Sequence, residues 1–172
     1  MLKVIGACCI LFSCVMFSCF KVSGIKRKYE NAKQMQTALL MMKNEIAFSK
    51  TEIFETLLGI VSALSGDVAD FFGRLSDCLR QDERTDFGQA WEYVMEEYRD
   101  RPIFSSGIQN IMLGFSHQVG KMSKEIELEN MNKTLKSLED AIKKEEEQYK
   151  NSRKLIYTFG FLCGFSVMIL FL

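Results

Sequence analysis
The 172 residues hold 22 basic and 22 acidic side chains, a formal net charge of zero, and a single proline. Such proline poverty, with Met, Leu, Glu and Lys abundant, argues against a sheet-rich fold and favours helices throughout. Five of the six cysteines (Cys8, Cys9, Cys14, Cys19 and Cys163) fall in two apolar runs and only Cys78 lies outside them, so neither a disulfide framework nor metal-ligand spacing results.

In chain order, Val4 to Phe20 is the first apolar run, set between Lys3 and Lys21. Its length predicts an uncleaved transmembrane helix within residues 1–25, because the apolar stretch exceeds a usual signal-peptide core and no A-x-A site follows. Residues 26–154 then form a domain large enough for one modest core. Its first helix covers Lys26 to Phe48, with Ala32, Met35, Leu39, Met42 and Ile46 on one stripe. Ser49 and Glu52 form a capping box for a second helix, whose apolar face is Ile53, Phe54, Leu57, Leu58, Val61 and Leu64. Ser65-Gly66-Asp67 breaks the chain before a third helix with Val68, Phe71, Phe72, Leu75, Cys78 and Leu79. Thr85 or Asp86 caps a fourth, which shows Phe87, Ala90, Trp91, Val94, Met95 and Tyr98 before Pro102 stops it. A fifth starts at Ser105 or Ser106 and presents Ile108, Ile111, Met112, Phe115 and Val119.

The sixth helix carries Leu128, Met131, Leu135, Leu138 and Ile142 in 3-4 alternation, which Glu145 interrupts before Tyr149. Starting near Ser123 and running into the chain end, it would hold about 50 residues and measure about 75 Å. A rod of that length needs a partner, and the stripe of the first helix supplies one in antiparallel pairing. Leu155 to Leu172 is the second apolar run, eighteen uncharged residues that predict a second transmembrane helix. Lys21, Lys26, Arg27 and Lys28 follow the first run, and Lys150, Arg153 and Lys154 precede the second. Basic residues keep to the cytoplasmic side, so both termini are expected outside and residues 26–154 inside the cell. The expected architecture is an all-α bundle of about six helices between two transmembrane helices.

Charge within the domain is uneven: Asp67 to Asp100 contains ten acidic and four basic residues. Such a bias repels phosphate, so no nucleic acid is expected, and it offers a basic protein partner a docking surface. The residues placed on that surface are Asp77, Asp82, Glu83, Asp86, Glu92, Glu96 and Glu97. Catalytic patterns are missing. His117 is the sole histidine, and there is no P-loop, no G-x-G-x-x-G, no H-E-x-x-H and no nucleophile elbow. No enzyme, cofactor or metal is expected; the rival readings are a self-associating coiled-coil scaffold and an enzyme built around His117 or Cys78.

Several segments carry a family resemblance: MLKVIGA at the start; MQTALLMMKNEIAFSKTEIFETL, with Leu39, Met42, Glu45 and Ile46; QAWEYV, with Ala90 and Trp91; LGFSHQVGKMSKEIE, with Gly120; and YTFGFLCGFSVMILFL at the end. In this order, over nearly the whole chain, they resemble the stage III sporulation protein AB family, which in turn is similar to type II secretion F proteins. Ser123 stands where the family often has Asp, and the region of Thr51 lacks its usual proline. The resemblance implies a membrane component of the channel complex linking mother cell and forespore, sited in the mother-cell-derived membrane around the forespore. It also implies a helical platform for a partner ATPase, stage III sporulation protein AA, alongside other membrane components; the apolar runs themselves point to the lipid bilayer, and homo-oligomers belong to the rival scaffold reading, through the long sixth helix.

Overall fold
The computed structural model describes residues 2–48, 53–81, 86–99, 103–117 and 124–171; within 2–18, 47–48 and 157–171 the side chains described are those of Phe12, Met16, Thr158, Phe159, Leu162 and Ser166. Six helices make up these residues, with no strand among them: α1 (Leu2–Phe48), α2 (Ile53–Ala63), α3 (Asp67–Gln81), α4 (Phe87–Glu97), α5 (Ser106–Ser116) and α6 (Lys124–Phe171). Ser49, Thr51, Glu52, Asp82, Glu83, Thr85, Pro102, Val119, Gly120 and Ser123 lie outside the described residues.

The expectation of two transmembrane helices is corrected. Among the described residues no helix is long and apolar enough to cross a membrane. The apolar runs form the opening of α1 and the close of α6, the latter one continuous helix of 48 residues, as the sequence predicts. In each the helical apolar stretch, Val4–Phe20 or Leu155–Phe171, is about 17 residues, or roughly 25 Å, against a hydrocarbon core of about 30 Å. Gly6, Ser13 and Ser18 dilute the first stretch, and Thr158, Gly160, Gly164 and Ser166 the second.

The chain divides into two compact units. One comprises Met1–Tyr29 and Lys144–Leu172, where Tyr29 of α1 stacks on Tyr149 of α6 with ring centroids 6.2 Å apart and planes 10° from parallel. The other is Glu30–Lys143. In it α2 packs on α3, α3 on α4 and α4 on α5. The stripe of α1 (Ala32, Met35, Leu39, Met42) is fully buried, as are Leu57, Ile60, Phe71, Phe72, Trp91 and Met112. Apolar residues three and four apart are what put these side chains on one face of each helix.

Local chemistry sets the joints of this second unit. Gly66 adopts φ +66°, a left-handed conformation with no steric penalty for glycine, and so turns the chain between α2 and α3. Two polar side chains one turn apart on α1 grip that turn. The Gln34 side-chain oxygen accepts from the Ser65 backbone N–H at 3.2 Å, and buried Asn31 donates to Asp67 Oδ2 at 2.8 Å and to the Ile103 carbonyl at 2.9 Å. Ser105 caps α5, its hydroxyl accepting from the Ile108 N–H at 3.5 Å. Asp86 holds the N-cap position of α4 through its backbone, whose carbonyl accepts from Ala90, while its side chain makes no cap bond.

Candidate acidic face on α3 and α4
One aromatic cluster fixes the position of α4. Trp91 sits at its centre, with ring centroids 5.1 Å from Phe71, 5.8 Å from Phe72, 5.7 Å from Phe87 and 5.1 Å from Phe115. Three of these contacts are edge-on, the arrangement that sets a ring's positive edge against a neighbour's negative face. The helix also approaches α5 closely: a side chain at Gly88 would place its Cβ 2.5 Å from the Ser116 carbonyl oxygen. With Trp91, Val94 and Met95 buried, the helical period turns Glu92, Tyr93, Glu96 and Glu97 outward.

The carboxylates of this edge are individually engaged. Arg74 of α3 meets Glu97 at 2.7 Å, and that hydrogen bond, followed by the charge of Glu97, raises the guanidinium pKa. Arg99 meets Glu96 at 2.5 Å. Glu92 is reached from α5 by His117 Nδ1 at 2.9 Å and by the Ser116 hydroxyl at 3.1 Å; that hydroxyl also lies 2.7 Å from the Leu113 carbonyl. Burial, then the charges of Asp70 and Glu97, push the Tyr98 phenol up.

Of the seven acidic residues read from the sequence, Asp77, Glu96 and Glu97 are exposed, Asp86 and Glu92 are half-buried, and Asp82 and Glu83 lie outside the described residues. Of the residues assigned to helix packing, Leu39, Met42, Trp91 and Leu138 are fully buried and Met131, Leu135 and Ile142 nearly so, whereas Ile46 and Leu128 are half-buried. Sequence reasoning missed the Glu92, Ser116 and His117 cluster, because Glu92 lies on α4 and the other two at the end of α5, with no spacing to link them. The adjacent Ser-His pair at the end of a helix was the only available hint.

The Ser116 hydroxyl and His117 Nδ1 converge on the same acid, so the serine-to-histidine-to-carboxylate relay that activates a nucleophile is not assembled. Cys78 is a half-buried free thiol. Among the described residues no three His, Cys, Asp or Glu side chains gather in a way that could hold a metal ion.

The chain is similar to known proteins along its whole length. The Bacillus subtilis (strain 168) stage III sporulation protein AB is 23% identical over 171 residues, covering 99% of each chain. A solved structure of stage III sporulation protein AB superposes with a TM-score of 0.67 at 18% identity, covering 72% of this chain and 97% of that one, which shows a shared fold. The family model described as Stage III sporulation protein AB matches residues 3–172, so the chain belongs to that sporulation family.

Proposed function
We propose that the protein is a non-enzymatic adaptor of the channel complex between mother cell and forespore, and that it docks the partner ATPase, stage III sporulation protein AA, through the exposed edge of α3 and α4. The observation that carries this reading is the rigid presentation of Asp77, Glu96 and Glu97: all three are exposed on helices whose opposite faces are locked by the Trp91 cluster. A preformed acidic edge favours encounter with, and orientation of, a basic partner surface. Arg74 and Arg99 cover two of the carboxylates, but exposed pairs of this kind contribute little and are readily exchanged for a partner's cations. Membership of a family of sporulation proteins rather than enzymes, together with the unassembled relay at Glu92, favours a binding role.

The test is co-purification of the full chain with the ATPase. Converting Asp77, Glu96 and Glu97 to lysine should lower recovery of the ATPase about tenfold or more, since close interfacial charge pairs are worth upwards of about 1.5 kcal/mol each. Recovery should also fall as salt rises. Undiminished recovery of the ATPase by the triple variant, with its helicity intact, would remove this edge from the interface.

A further inference from the structure
Tyr93 leaves 64% of its surface exposed, more than any other large apolar side chain among the described residues of the second unit. It is also the one aromatic residue on the outward face of α4, since Phe87 and Trp91 are buried. The helix holds it in place, because Trp91 and Val94, on either side of it in the chain, are fixed in the core. A tyrosine so placed offers a large contact area at little entropic cost, having only two side-chain torsions to immobilise.

Carboxylates stand beside the ring. Glu96 and Glu97 lie three and four residues on, the spacing that makes side chains neighbours on a helix, and α4 itself contains no basic residue. From α3, Arg74 reaches Glu97 at 2.7 Å. Glu97 above all, and to a lesser degree Cys78 and Tyr93, raise the pKa of that guanidinium, so the chain itself already sets an arginine beside this ring and this acid. A guanidinium is attracted to the negative face of an aromatic ring, and a carboxylate alongside fixes its plane through charge-assisted hydrogen bonds. Tyrosine is among the residue types that carry most of the energy of protein interfaces. We propose that Tyr93 is the anchor of the docking surface, and that the partner surface it fits presents an arginine, stacked on the Tyr93 ring and paired with Glu96. The proposal rests on the reading of α3 and α4 as the edge that meets the ATPase, and adds that charge alone does not hold the partner there.

The test is the affinity of the full chain for the ATPase, with the triple lysine variant at Asp77, Glu96 and Glu97 measured in parallel. Tyr93→Ala should weaken binding about thirtyfold or more. Tyr93→Phe, which keeps the ring, should restore affinity to within about threefold of the parent, whereas Tyr93→Leu, which keeps only apolar bulk, should stay about fivefold or more weaker than Tyr93→Phe. Both retain most of the side chain, so the comparison between them does not depend on the fold tolerating alanine. Full affinity in Tyr93→Ala with affinity lost in the triple variant overturns the anchor and leaves the acidic edge standing. Full affinity in both, or no binding by the parent chain, overturns edge and anchor together. Equal binding by the leucine and phenylalanine variants overturns the stacked arginine.

Discussion
Two single residues decide how closely the helices of the second unit meet. Gly88 is glycine because the Ser116 carbonyl occupies the space of a side chain, and backbone cannot swing aside as the tip of a long side chain can. Gly88→Ala should therefore destabilise the protein by about 1–3 kcal/mol, the usual cost of overpacking, read as a lowered midpoint in urea. Because α4 and α5 must part to admit the methyl group, the His117–Glu92 contact should lengthen as well, which the histidine ring resonances would report. Asn31 works in the opposite sense, by joining. Its amide spends both protons, on Asp67 and on the carbonyl of buried Ile103. Asn31→Ala should cost about 2 kcal/mol, chiefly by leaving that carbonyl unsatisfied. A loss of less than about 0.5 kcal/mol in the same urea titration would mean that water replaces the amide freely.

Among the elements, α6 is the clearest case of a helix supported by its own surface. Its three Glu-to-Lys pairs at i, i+4 have the favourable order, with the acid toward the N-terminus. Hydrogen bonds and then charge from Lys133 and Lys143 lower the pKa values of Glu129 and Glu139, so their contribution is present above the ordinary glutamate value and is lost as pH falls through the lowered one. Hydrogen bonds and charge from Glu139 and Glu146 raise Lys143 and Lys150, so theirs is present below the ordinary lysine value and is lost as pH rises through the raised one. Helical ellipticity should hence be flat around neutral pH and decline at both extremes. Replacing Lys133, Lys143 and Lys150 by glutamate should lower it modestly at pH 7, and a variant as helical as the parent would show that packing alone maintains α6. Much of this was legible in the sequence, since periodicity marked the buried stripes of α1 and α6 and turn residues marked the joint at Gly66. The Tyr29–Tyr149 stack and the bonds from Asn31 were not, because they join residues far apart in the chain. The apolar ends were misread as membrane spans because freedom from charge and a count of residues were taken as sufficient, although glycine, serine and threonine dilute both runs.

For the molecule as a whole, two properties act together. The formal net charge is zero with a pI near 6.6, so self-repulsion is weakest close to neutral pH. The terminal helices expose Phe12, Phe20 and Phe159, at 69%, 75% and 62% of their surface. Exposed apolar side chains without electrostatic protection associate. Light scattering at low salt near pH 6.6 should report a mass above the 19.8 kDa of one chain, and Phe20→Asp with Phe159→Asp should move it toward that value. A single-chain mass for the parent would show that these side chains do not drive association. The core offers a way to follow such events from within. Trp91 is the only tryptophan, it is fully buried among phenylalanines, and its indole N–H has no hydrogen-bond partner. An excited indole deprived of polar neighbours emits far to the blue, so the protein carries a built-in one-colour lamp. Its light would redden as soon as water, or a partner that prises α4 from α5, reached the ring.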